Sequence, residues 1–265
     1  MLVLRGLVKT YLAGTLNAAT ALDGIDLEIG DGEFVTVIGS NGAGKSTLLK
    51  AIAGLVEPGR GSIELDGRDI TREPVWRRAA LIGRIAQDPQ ESTCAVMTIA
   101  ENLAMAGKRG RRRGLSRAVT PGLRDRFRAT LAEVGLGLEG RLDTRLGALS
   151  GGQRQAIALL MATLTHPRLL LLDEHLASLD PKTGEAVMTM TAGIIAAGKL
   201  TTLMVTHNMQ EAIRWGSRLV MMHAGRIILD VVGAEKSQLT VAALVEKFHE
   251  ASRSALTEDR LLLTP

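Results

Sequence analysis

Short alternations of apolar and polar residues open the chain, at Leu2-Val-Leu4, Gly24–Ile29 and Gly61–Leu65. A period of two predicts strands, and the Asp31-Gly32 and Asp66-Gly67 pairs supply the tight turns of an antiparallel sheet. Phe34–Ile38 is different: a nearly continuous β-branched run, as expected of a strand buried on both faces. Glycines follow it, and then a helical pattern over Ser46–Leu55. Between about 91 and 164 the strand signal stops. Helices are predicted there over Ile99–Ala106, Leu123–Val134 and Gln153–Leu164. Buried-strand patterns return at Leu169–Leu172, Thr202–Thr206 and Leu219–Met222, with a helix over Pro181–Ala197 that Gly198 would stop. Strands alternating with helices imply a parallel sheet with helices on both faces. The expectation is an α/β fold in which residues 1–90 and 165–235 form a parallel-sheet core with an N-terminal antiparallel β subdomain. Residues 91–164 would be an α-helical insert, and 236–265 a C-terminal helix, over Val241–Ala251, with a polar tail.

Composition narrows the function classes. With 265 residues, 46% of them hydrophobic and 23% charged, the chain can bury a large core. Aromatic residues are only 2%, so stacking on bases or sugars is not a theme. The single cysteine, Cys94, excludes an internal disulfide and any multi-cysteine metal site, and fits a reducing, cytosolic setting. Charges interrupt Met1–Lys9 too soon for a signal-peptide core, and no apolar run approaches a membrane span. A role at a membrane would therefore need docking on something that spans it. The net charge of +4 argues for no particular polyanion.

Two segments carry chemistry. Gly39-Ser40-Asn41-Gly42-Ala43-Gly44-Lys45-Ser46 matches the P-loop pattern, with a strand before it and a helix after. The glycines let successive N–H groups turn toward phosphate oxygens, and the helix start adds its positive dipole end. Lys45 would reach the β- and γ-phosphates, and the Ser46 hydroxyl would hold Mg²⁺, with Thr47 beside it. Leu169–Leu172 then delivers Asp173 and Glu174 at the carboxyl end of a buried strand, where open α/β sheets bind ligands. Asp173 would bind Mg²⁺ and Glu174 would polarise the attacking water as general base.

Leu149-Ser150-Gly151-Gly152-Gln153 reads as a second anion-binding helix start, with Ser150 as N-cap. It also resembles the signature sequence that separates ABC ATPases from other P-loop enzymes, and it precedes the Asp-Glu strand as in that family. The resemblance covers roughly residues 1–235. It implies a P-loop NTPase of RecA-like core that hydrolyses ATP with Mg²⁺ as a head-to-tail homodimer, or as a heterodimer with a similar cassette. In that arrangement Ser150, Gly151 and Gly152 grip the γ-phosphate held on the partner's P-loop. By the same resemblance Gln87 contacts Mg²⁺ and water, Ser178-Leu179-Asp180 forms the loop that crosses the dimer interface, and His207 hydrogen-bonds the γ-phosphate. Tyr11 falls where an aromatic ring stacks on adenine. Ala156 and Met161, where many relatives carry basic residues, and His175, where proline is commonest, resemble a bacterial subgroup of tryptophan/tyrosine-type uptake ATPases.

The resemblance further implies an integral-membrane permease as partner, a peripheral place on the cytoplasmic face of the membrane, and an extracytoplasmic substrate-binding protein in the same system. Free-standing cassettes favour import over export. A soluble ABC-type ATPase acting on nucleic acid or ribosomes is the alternative; those usually carry long coiled-coil inserts or tandem cassettes, and neither is present. A third reading is a P-loop GTPase or small-molecule kinase; the chain lacks the Asn-Lys-x-Asp guanine motif, and either would leave the signature sequence unexplained. The basic stretch Lys108–Arg117 has no interleaved aromatics, so it specifies no nucleic acid; anionic headgroups, a permease loop or plain solvent remain as its partners.

Overall fold

The computed structural model describes residues 1–262 apart from 112, 113, 115, 116 and 136. Arg112, Arg113, Leu115 and Ser116 of the basic stretch, and Leu263–Pro265 of the tail, lie outside the described residues. The chain divides into two compact units, one of Met1–Glu73 with Thr201–Pro265 and one of Pro74–Leu200.

The first unit begins with β1 (Leu2–Tyr11), β2 (Ala19–Ile29), β3 (Phe34–Gly39), α1 (Lys45–Ala53), β4 (Arg60–Leu65) and β5 (Arg68–Asp69). β1, β2, β4 and β5 form the antiparallel sheet, in the order β2-β1-β4-β5. Asp66 (φ +52) and Gly67 (φ +75) make the two-residue turn between Leu65 and Arg68. Both left-handed residues are what a primed hairpin turn demands, so this Asp-Gly pair acts as its sequence predicts. Asp31-Gly32 does not. It bends the chain, with Glu33 N–H donating to Gly30 O at 3.2 Å, but passes it from β2 to β3, which lies in a different sheet.

The second unit holds α2 (Val75–Arg78), β6 (Ile82–Ile85), α3 (Pro89–Ser92), α4 (Ile99–Ala106), α5 (Pro121–Val134), α6 (Gly151–Thr163), β7 (Leu169–Asp173) and α7 (Pro181–Gly198). β6 pairs with β7 in parallel, from Ile82 opposite Leu169 to Ile85 opposite Leu172. The helices share a core of Ile99, Leu103, Phe127, Leu131, Leu146, Ile157 and Leu160. Capping chemistry marks their starts: Thr98 and Glu101 form a capping box on α4, and Thr120 caps α5 ahead of Pro121. α7 ends one residue later than Gly198 would stop it. Its left-handed cap is Lys199 (φ +46), and Gly198 is the last helical residue. Arg109 of the basic stretch turns inward, where Nη2 donates to Met161 O and, at 2.9 Å, to Ala162 O at the end of α6. Desolvation there pulls its basicity below the usual guanidinium range.

The chain then returns to the first unit through β8 (Thr201–Val205), α8 (Met209–Arg214), β9 (Arg218–His223), β10 (Arg226–Val232), α9 (Gly233–Ser237) and α10 (Val241–Leu262). β3 sits between β8 and β9, parallel to both, and β10 closes antiparallel on β9. Ile38, Leu219, Met221 and Val231 of these strands pack with Ala212 of α8 and Leu244 of α10. α10 runs to Leu262, well beyond the helix over Val241–Ala251 expected from the sequence.

Candidate functional site

The P-loop connects β3 to α1, and backbone crowding dictates two of its glycines. A Cβ at Gly39 would lie 2.2 Å from Met222 O, and one at Gly44 2.1 Å from Ala21 O. Neither backbone atom can step aside, so only glycine fits. Gly44, in the left-handed region at φ +96, is the N-cap of α1, and no side chain caps that helix. The first N–H groups of a helix have no partner within it, and the N-cap glycine has no side chain to supply one. The buried Lys45 ammonium folds back over the loop, donating from Nζ to Gly39 O at 2.8 Å and Ser40 O at 2.9 Å. Tyr11 is partly exposed, with Oη 3.5 Å from Thr47 Oγ1 and Lys9 Nζ 5.4 Å from the ring centroid. The tyrosine predicted to meet the base is therefore beside the first turn of α1.

His207 follows β8 on a bend that its neighbours secure. Asn208 N–H donates to Thr206 Oγ1 at 3.1 Å, and the Thr206 hydroxyl donates to Glu211 Oε2 at 3.0 Å. The Asn208 side chain caps α8 through Gln210 N and Glu211 N. At the other end of α8, the buried Lys236 Nζ donates to Ile213 O, Trp215 O and Gly216 O at 2.7–2.9 Å. A lysine satisfying three helix-end carbonyls fixes that helix, although nothing in the local sequence announces it.

In the second unit, Asp173 ends β7 and is buried. Glu174 takes φ +44, an uncommon conformation for a side chain of its kind, costing about 1 kcal/mol. The bend it starts closes with Ala177 N–H donating to Glu174 O at 3.0 Å. Gln87, two residues past β6, donates from Nε2 to Glu174 Oε2 at 3.3 Å. The parallel pairing of β6 with β7 thus brings together a glutamine and a carboxylate 87 residues apart in sequence. His175 is buried with Nε2 unpartnered, and desolvation pushes its pKa down to about 4, so the ring is neutral near pH 7.

The other glycine-rich helix start differs in build. The Ser150 hydroxyl accepts from Gln153 N–H at 3.3 Å, and Gln153 Oε1 accepts from Ser150 N–H at 3.3 Å. α7 starts beside it: Asp180 caps α7 by accepting from Thr183 N–H at 3.1 Å, and hydrogen bonds from the Thr183 side chain and then its N–H hold the Asp180 carboxyl below the usual range. A Cβ on Gly152 would lie 2.3 Å from Thr183 Cγ2, and one on Gly151 3.2 Å from Leu179 Cδ2. These two glycines therefore have a packing duty, admitting the start of α7, besides the backbone approach to an anion read from the sequence. Among the described residues no three His, Cys, Asp or Glu side chains cluster as a metal cage. A Mg²⁺ held mainly by phosphate and water needs no such cage.

Comparison with known proteins agrees in family. Residues 22–177 match the family described as ABC transporter. The chain is 41% identical to a tyrosine transport ATP-binding protein of Clostridioides difficile, over 95% of this chain and all of that one. It is 39% identical to a sulfate/thiosulfate import ATP-binding protein of Chromobacterium violaceum, over 89% of this chain and 61% of that longer protein. Its fold matches the dimeric post-hydrolysis state of the ATP-binding cassette MJ0796 bound to ADP and Pi, with a TM-score of 0.75 and 28% identity, covering 88% and 98% of the two chains.

Proposed function

This chain belongs to the ABC transporter family, as its ATP-binding, ATP-hydrolysing subunit, and from that premise we propose which residues do the work and what the work is for. The observation that carries the reading is the uncapped, glycine-enforced start of α1 with Lys45 folded over it. Backbone N–H groups of Gly39–Thr47 and the Lys45 ammonium hold the nucleotide's phosphates, and Tyr11 faces the base. Ser46, Asp173 and Gln87 are the ligands for Mg²⁺, which when bound would neutralise charge on the phosphates. Glu174 takes the proton of the attacking water, and Gln87, already in contact with its carboxylate, helps orient that water. His207 steadies the γ-phosphate. Ser150, Gly151 and Gly152 complete the site of a partner cassette, with Asp180 in the loop at the interface.

The cycle serves uptake through an integral-membrane permease at the cytoplasmic face, with an extracytoplasmic substrate-binding protein delivering the solute. No described helix is long and apolar enough to cross a membrane, so the permease supplies the path. The 41% identity to a tyrosine transport subunit, together with His175, Ala156 and Met161, favours an aromatic amino acid as cargo. Glu174→Gln tests the chemistry: steady-state ATP turnover should fall more than about 100-fold while MgATP binding persists. Near-normal turnover would remove Glu174 from the role of base.

A further inference from the structure

The two-residue turn joining β9 to β10 has no place in that mechanism, yet it touches the P-loop. Ala224 (φ +46) and Gly225 (φ +80) form it, between the paired residues His223 and Arg226. Gly225 N–H donates to Ala43 O at 3.1 Å, and Gly225 O accepts from Asp23 N–H of β2 at 3.0 Å. Arg226 Nε donates to the Asp23 carboxylate at 2.8 Å, closing the junction from outside. Ala21 O of the same strand lies against both glycines, 2.1 Å from where a Cβ on Gly44 would be and 3.1 Å from one on Gly225. Three backbones therefore meet directly: P-loop, β2 and turn.

Ala43 O shares a rigid peptide plane with Gly44 N–H, and in a trans peptide the two point in opposite directions. Whatever holds the carbonyl also aims the N–H. We propose that the Ala224–Gly225 turn is a positioning element for nucleotide: by holding Ala43 O it aims Gly44 N–H toward the phosphates before ATP arrives. This rests on the P-loop reading above and adds a residue 182 positions along the sequence from Ala43 that sets affinity without touching ligand. The Arg226–Asp23 pair, exposed on both sides, contributes little stability of its own and serves to keep the turn seated.

The test uses the full chain, a fluorescent ATP analogue with Mg²⁺, ATP turnover, and thermal unfolding. Gly225→Ala should raise the dissociation constant and KM roughly three- to tenfold, the scale of one hydrogen bond, with kcat within about twofold. Arg226→Ala should weaken binding less, and the exchange Asp23→Arg with Arg226→Asp should restore it. Val231→Ala, a buried position on β10, serves as the destabilised control. At matched loss of melting temperature it should leave affinity unchanged. The proposal is overturned if Gly225→Ala binds ATP as the parent does, or if Val231→Ala loses affinity equally. Lys45→Ala separates the two readings. If it too binds normally, the nucleotide site is misassigned; if it alone loses ATP, only the turn's role fails.

Discussion

The chain contains two glycine-rich helix starts, and they are built differently. At α1 no side chain caps the helix, and Gly39 and Gly44 are forced by backbone carbonyls 2.1–2.2 Å from any added Cβ. At α6 Ser150 and Gln153 cap each other reciprocally, and Gly152 is forced by the Thr183 side chain of α7. The first has a glycine at its N-cap and so no capping side chain. The second has the Gln153 N–H satisfied by the Ser150 hydroxyl and the Ser150 N–H by the Gln153 side chain. That difference suits a principal phosphate site on one side and, on the other, a contact used only when a partner's nucleotide arrives.

The strongest way to break this contrast is Gly44→Ala. The methyl would meet Ala21 O in a conformation, φ +96, that alanine rarely adopts. MgATP affinity should fall by well over tenfold, read by titration of the full chain. Retained affinity would mean that the α1 start is not the phosphate site. A second measurement addresses the unit carrying Glu174. His175 has its pKa depressed from 6.5 to about 4 by burial, so the unfolded chain takes up the proton first as pH drops. Its contribution to stability is complete above about pH 6.5 and is lost progressively toward pH 4, levelling below that. The loss approaches roughly 3 kcal/mol. His175→Leu should flatten this part of a melting-temperature profile, and an unchanged slope would place the titration elsewhere. The smallest effect is at the capped start: Ser150→Ala should cost about 1 kcal/mol of stability and leave MgATP binding to the isolated subunit unchanged, while lowering turnover. Weakened binding in a monomer would erase the distinction between the two starts.

Much of the site was legible because it is local in sequence. Gly39–Ser46, Asp173-Glu174 and Ser150–Gln153 each fit within a few residues, and each emerges on the predicted type of element. What was not legible depends on partners far along the chain. β6 is a four-residue strand containing Gly83 and Arg84; it works because Gly83 admits Ala162 O, where a Cβ would come within 2.5 Å. β10 went unread, although Ile227–Leu229 after an Ala-Gly pair is a hairpin signal that could have found it, and with it the turn against Ala43. Lys236 reads as surface until three carbonyls 20–23 residues away are seen to surround its ammonium. The left-handed Lys199 displaced the cap expected at Gly198 because Leu200 N–H closes on Ile195 O, one residue later.

The central claim is that one chain carries both a phosphate-holding start and a start that serves a partner, so that ATP itself makes the pair. The most direct measurement is the solution mass of Glu174→Gln by light scattering, with and without MgATP. The account predicts a monomer without nucleotide and a doubling of mass with MgATP, abolished by adding Ser150→Ala with Gly151→Asp. A mass that MgATP leaves unchanged, or a dimer indifferent to those substitutions, would contradict it.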